Sequence, residues 1–112
     1  MKRGDVFDAR LSPTEGSEQA GTRPVIIVSR DAINEVSPVV VIIPLTKAAN
    51  VKRQYPSNVL IEHGNGGLTM DSVALGGQIR AIARTRLLRR KGSLSPPIMR
   101  EIDRALRITL DL

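Results

Sequence analysis

Two apolar runs set the terms for any fold this chain can adopt. PVIIV at Pro24–Val28 and VVVIIPL at Val39–Leu45 are continuous and rich in β-branched residues. Neither approaches the ~20 apolar residues needed to cross a bilayer, and both are short for a helix. β-branched side chains pack well on a pleated surface, so each run reads as a buried strand. The rest of the core has to be built the same way. Phe7 and Tyr55 are the only aromatics among 112 residues, which leaves Val, Ile and Leu to fill the interior. A chain of this length predicts a single domain over residues 1–112.

Weaker signals complete a β-rich outline. Asp5–Leu11 alternates, with Asp5 and Asp8 read on its solvent face, and Asn58–Glu62 alternates less clearly. HGNGGL at His63–Leu68 is a glycine-rich turn. Ser72–Leu75 and Gln78–Ala83 read as strands flanking Gly76-Gly77, a pair suited to a tight hairpin or a bulge. Asp31–Val36 leaves room for one helical turn. A true helix closes the chain. Ser95 stands as a candidate N-cap, and Pro96 takes the first helical position, where a missing N–H costs nothing. Ile98, Ile102, Ala105, Leu106 and Thr109 share one face, and Asp103 and Arg107 form a favourable i,i+4 pair. About six short strands and a terminal helix predict a mainly β fold, a small, curved antiparallel barrel.

Composition narrows the functional classes. Without cysteine there is no disulfide and no thiolate metal site, which fits a reducing compartment. The start MKRGDVFDAR is basic but lacks the apolar stretch of a signal peptide. A cytoplasmic protein with no membrane partner is expected. The net charge of +6 lies entirely in the last third: residues 1–78 balance, whereas residues 79–112 hold nine Lys or Arg against three acids. Such a segment either attracts a polyanion or forms a solvated basic face.

GSEQAGTRPVIIVS, Gly16–Ser29, admits three readings. Its glycines have P-loop spacing, but the phosphate-binding lysine is missing, and Pro24 opens a β-rich run where a P-loop requires a helix. A plain turn explains the residue types, yet about a dozen residues is long for a hairpin connection. The third reading is an active-site loop. The residue before a proline is held extended, which fixes Arg23 at the lip of a sheet. There its five-donor fork either grips a phosphate or pairs with Glu15 or Glu18. Thr46, at the end of the second apolar run, is either a turn cap or a partner to Arg23.

Together these stretches resemble the MazF/PemK family of toxin endoribonucleases. The likeness is carried by RGDV at Arg3–Val6, by GSEQAGTRPVIIVS, by PLT at Pro44–Thr46, by DSVALGGQIRAI at Asp71–Ile82 and by the closing helix. It implies an SH3-like barrel, a homodimer, metal-independent cleavage of single-stranded RNA, no cofactor, and silencing by a cognate antitoxin with an acidic flexible tail. It matches Arg23 and Thr46 to the catalytic pair. It places Ser17, Glu18 and Gln19 in a substrate-gating loop and Gln78 near the RNA. Family members often carry an acid before that glutamine; here it is Gly77, which weakens any base preference that acid would assist.

The residue inventory suits such chemistry. His63 is the only histidine, so a two-histidine mechanism within one chain is impossible, and it is expected to be exposed or structural. No carboxylate cluster suggests a metal site. The 2′-hydroxyl of RNA already adjoins its own phosphate, so alignment and charge stabilisation by Arg23 and Thr46 would suffice. The expected products are a 2′,3′-cyclic phosphate and a 5′-hydroxyl. Two other classes fit the same barrel: a non-catalytic toxin that poisons gyrase, and a plain nucleic-acid-binding protein. Neither gives the Arg23–Thr46 pair a task.

Overall fold

The computed structural model describes residues 1–112. Strands β1 (Asp5–Arg10) and β2 (Thr22–Ile27) are followed by a short helix α1 (Asp31–Val36) and the longest strand, β3 (Val39–Lys47). Then come β4 (Asn58–Ile61), β5 (Ser72–Leu75), β6 (Arg80–Ala83), β7 (Leu87–Ser93) and the closing helix α2 (Pro96–Leu110). Every strand pairing is antiparallel. The order is β4-β5-β3-β2-β1-β7, with β6 added on β3. Strand β3 pairs with β6 through Val39–Ile42, with β2 through Ile42–Pro44 and with β5 through Leu45–Lys47. One strand therefore serves several neighbours, and the sheet curls around it. The result is the expected mainly β, barrel-like shell with a C-terminal helix, although β4 and β7 end the ladder without pairing to each other. No helix is long and apolar enough to cross a membrane.

The continuous apolar runs have a simple cause: alternate side chains of β2 and β3 enter two different cores. Ile26, Val28, Ile43 and Leu45 pack with Val59, Ile61, Ile102 and Ala105, beneath α2. Val25, Ile27, Val40 and Ile42 pack with Ala9, Leu11 and Ile82. No aromatic is buried; Phe7 only flanks the second core, and Tyr55 is exposed. Full burial of an aliphatic side chain is worth roughly 1.5–3 kcal/mol, so these two layers dominate the fold.

Several sequence expectations change. Strand β7, LLRRKGS, was not expected, because four of its seven residues are glycine or charged. It is held by its ladder to β1 and by Asp5–Arg90 and Asp8–Arg89 pairs rather than by an apolar face. Asp5 is consequently buried, not on a solvent face; its carboxylate accepts from the Lys2 N–H at 2.9 Å and from Arg90 at 3.3 Å. Gly76-Gly77 makes no hairpin. Gly76–Gln78 is one tight helical turn, and β5 and β6 pair with other strands. A side chain at Gly76 would lie 2.4 Å from the Ser57 carbonyl, so close backbone approach explains that glycine. Ser95 occupies the N-cap position, but its side chain caps nothing. Asp103 pairs with Arg3 at 2.6 Å rather than with Arg107, tying α2 to the chain start.

Candidate active site

The site opens where a ladder stops. Strands β2 and β3 are in register at Ile27–Ile42, Ile26–Ile43 and Val25–Pro44, and no further. Pro24 and Pro44 carry no N–H and can donate no further rung. Beyond them the strands part, while β3 turns to pair with β5 from Leu45 onward. Two residues further along the same register stand Arg23 and Thr46. Both line the cleft that opens between the strands, a cavity of about 210 Å³.

Each side chain is held differently. Arg23 is half-buried, and its Nε donates to the Ala20 carbonyl at 2.9 Å, leaving both Nη groups free. It makes no pair with Glu15 or Glu18; the Glu18 carboxylate instead accepts the Glu15 N–H at 3.0 Å within its own loop. Thr46 sits opposite Val73 in the β3–β5 pairing and is only 7% exposed. Its hydroxyl accepts from Asn50 Nδ2 at 3.5 Å, a long contact that leaves the O–H available as a donor.

Gln19 and Gln78 come together, a contact the sequence did not announce. Gln78 Oε1 accepts the Gln19 N–H at 2.9 Å, and its Nε2 donates to the Ser17 carbonyl at 3.3 Å. The loop of Ser17, Glu18 and Gln19 is thereby latched onto the turn between β5 and β6. Gln19 and Gln78 also line a second cavity, about 470 Å³, whose wall includes Thr46. Ser17 and Glu18 line neither of these two cavities; Glu18 reaches only a separate hollow beside Arg80.

Electrostatics favours an anion here. No carboxylate lines either cavity, whereas Arg23, Lys47 and Lys91 border the first and Lys52 and Arg53 the second. Only Lys91 comes from the basic last third. Other cations of that segment are engaged in the fold. Arg84 donates to the Ser37 and Asn34 carbonyls, Arg86 to those of Arg10 and Ser12, and Arg89 and Arg90 pair with Asp8 and Asp5. Lys52 and Arg53 were missed because they lie in an irregular segment with no periodicity to orient them. His63 stands outside the cleft, exposed, with Nδ1 2.7 Å from Asp71. That hydrogen bond raises the histidine's pKa, and the His63 backbone N–H lowers that of Asp71. No three metal-ligating side chains converge anywhere.

The chain is similar to known proteins over its whole length. Residues 2–110 match the family described as PemK-like, MazF-like toxin of type II toxin-antitoxin system. The chain is 43% identical over all its 112 residues to an endoribonuclease MazF of Staphylococcus saprophyticus, covering 92% of that protein. Among solved structures, an endoribonuclease from a mycobacterial species, in complex with its cognate antitoxin, matches with a TM-score of 0.82 and 25% identity, over the whole chain and 96% of that one. MazF from Deinococcus radiodurans matches in fold with a TM-score of 0.84 at 23% identity, over the whole chain and 97% of that one. By sequence and fold, this chain belongs to the PemK/MazF toxin family of type II toxin–antitoxin systems.

Proposed function

We propose that this chain is a sequence-specific, metal-independent endoribonuclease toxin of the cytoplasm, with Arg23 and Thr46 as its catalytic residues. The observation that carries this reading is the single cleft they share, with both Arg23 Nη groups free and no acid lining it. The 2′-oxygen of the substrate attacks the adjacent phosphorus, the bond from phosphorus to the 5′-oxygen breaks, and a 2′,3′-cyclic phosphate and a 5′-hydroxyl result. The Arg23 fork holds the phosphorane oxygens as charge develops, and the Thr46 hydroxyl donates to one of them. Arginine is a poor base, since its pKa stays above ~12. No imidazole or carboxylate lines the cleft to take its place. The rate therefore rests on alignment and on charge stabilisation.

Ser17, Glu18, Gln19 and Gln78 serve as the gate and the base contacts, with Gln78 holding the loop until RNA arrives. The toxin acts as a homodimer, and a cognate antitoxin silences it by laying an acidic flexible tail over the cation-lined cleft. Purified protein incubated with single-stranded RNA in EDTA tests the reading. Wild type cuts, and Arg23→Ala cuts about 100- to 1,000-fold more slowly with an unchanged circular dichroism spectrum. Equal cleavage by Arg23→Ala contradicts the assignment.

A further inference from the structure

We infer that Lys91 is the general acid of the reaction, the group that hands a proton to the 5′-oxygen as it leaves phosphorus. The inference rests on the endoribonuclease reading and supplies the one step that Arg23 and Thr46 leave open. A departing 5′-alkoxide is a strong base, and a positioned proton donor accelerates such a step by about 100- to 10,000-fold. Three cations border the catalytic cleft: Arg23, Lys47 and Lys91. A guanidinium does not part with its proton, so Arg23 is suited to holding oxygens rather than to protonating one. Lys47 is exposed at the end of β3 and also borders a separate hollow beside His63. Lys91 remains.

Its side chain is only 17% exposed, and its one charge partner, Asp8, lies 3.8 Å away and is shared with Arg89. That distance is too long for a hydrogen bond, and an enclosed ammonium without one is costly to keep. The fold holds Lys91 there from two sides. The glycine turn presses on its backbone: a Cβ at Gly67 would lie 2.1 Å from the Lys91 carbonyl oxygen, and one at Gly92 would lie 2.7 Å from the Gly66 carbonyl carbon. Asp8 stands opposite Pro24 in the β1–β2 register, so the ion pair draws Nζ over β1 toward the residue that follows Arg23. Arg23 and Thr46 come from the neighbouring strands β2 and β3, whereas Lys91 comes from β7, two strands beyond Arg23. The entering and leaving oxygens of a phosphoryl displacement lie roughly in line, on opposite sides of phosphorus. A donor on a wall of its own therefore suits the leaving oxygen, while Arg23 and Thr46 serve the oxygens between. The 2′-hydroxyl proton passes to water as the 2′-oxygen bonds to phosphorus. The bond to the 5′-oxygen breaks, and that oxygen takes a proton from Lys91 Nζ, which regains one from solvent.

An RNA whose 5′-oxygen at the mapped cleavage site is replaced by sulfur isolates this role, because a thiolate leaves without a proton. Lys91→Met keeps the length of the stem and removes the proton. In single turnover at saturating RNA it should cut the ordinary strand about 100-fold or more slowly than wild type. On the 5′-sulfur strand it should match wild type within about threefold, since no donor is needed there. Arg23→Ala should stay slow on both strands, because charge stabilisation is still missing. Lys91→Arg retains the charge but no transferable proton, so it too should be slow on the ordinary strand and restored on the 5′-sulfur one. Equal slowing of Lys91→Met on both strands overturns the assignment, since it marks a lysine that shapes the cleft or holds phosphate. So does a Lys91→Met rate on the ordinary strand within about twofold of wild type, or recovery of that rate by Lys91→Arg. Restored cutting of the 5′-sulfur strand shows at the same time that the variant is folded. A wild type that cuts neither strand defeats the cleavage reading and this role with it, whereas an active wild type with an unrescued Lys91→Met defeats the role alone.

Discussion

Arg23 combines three constraints in one residue. Pro24 fixes its backbone, the Ala20 carbonyl takes its Nε, and the parted strands leave its Nη groups facing the cleft. Charge alone does not replace such a fork. Arg23→Lys is therefore expected to lose about 10-fold or more in kcat, measured at saturating RNA. Thr46→Val removes the hydroxyl while keeping the shape, and about a 100-fold fall in kcat is expected. His63 and Asp71 give a prediction independent of activity. A raised histidine pKa contributes stability that is complete below 6.5 and fades as pH rises through the folded value. A lowered aspartate pKa contributes stability that is present above 3.8 and fades as pH falls through the folded value. The melting temperature of Asp71→Asn should thus trail wild type most between about pH 4 and 6.5, approach it below that range, and keep a smaller deficit above it, where the His63 backbone N–H still holds the Asp71 carboxylate. Nuclear magnetic resonance titration of His63 should show its midpoint above 6.5 in wild type and lower in Asp71→Asn. At this scale Arg23 was legible in the sequence because proline constrains its neighbour. The placement of Lys52 and Arg53 beside the second cavity was not, because an irregular loop gives no period from which to read direction.

Among elements, β2, β3 and α2 were readable and β7 was not. Apolar periodicity reports burial, and β2 and β3 bury both faces, whereas β7 is an edge strand held by backbone rungs and cross-strand charges. The glycine cluster His63–Leu68 read as a turn, yet its reason lies in tertiary structure. Gly67 has φ +74°, and a Cβ there would meet the Lys91 carbonyl oxygen of β7 at 2.1 Å. Gly67→Ala combines backbone strain with overpacking and should cost about 2–3 kcal/mol, seen as a melting point lower by roughly 10 °C. A shift under about 2 °C would mean that the turn can withdraw from β7 at little cost. The sequence pattern suggests a strand from Gln78 onward; close packing of Gly76 on Ser57 makes Gly76–Gln78 a turn instead, and the strand starts at Arg80. That turn is what aims the Gln78 amide at the loop it latches.

The whole molecule separates its charges in a way that counting along the chain obscures. The last third carries the net +6, but much of it is tied to carbonyls and to Asp5 and Asp8. The cations around the clefts come mainly from Arg23, Lys47, Lys52 and Arg53. Single-stranded RNA binding loses about 0.7 in log–log salt slope for each phosphate contact removed. The double change Lys52→Ala with Arg53→Ala should lower the slope by about 1 or more, and Arg89→Ala with Arg90→Ala should lower it less. Barrel and terminal helix were thus visible in the sequence, while the meeting of Arg23 and Thr46 in one cleft and the distribution of charge required the fold. The most direct test of the central claim is the chemistry of the cut ends. The account predicts that RNA cut by wild type in EDTA carries a 2′,3′-cyclic phosphate and a 5′-hydroxyl, and that a single 2′-deoxy nucleotide at the mapped site abolishes that cut. A 5′-phosphate product, or undiminished cleavage at the 2′-deoxy position, would contradict it.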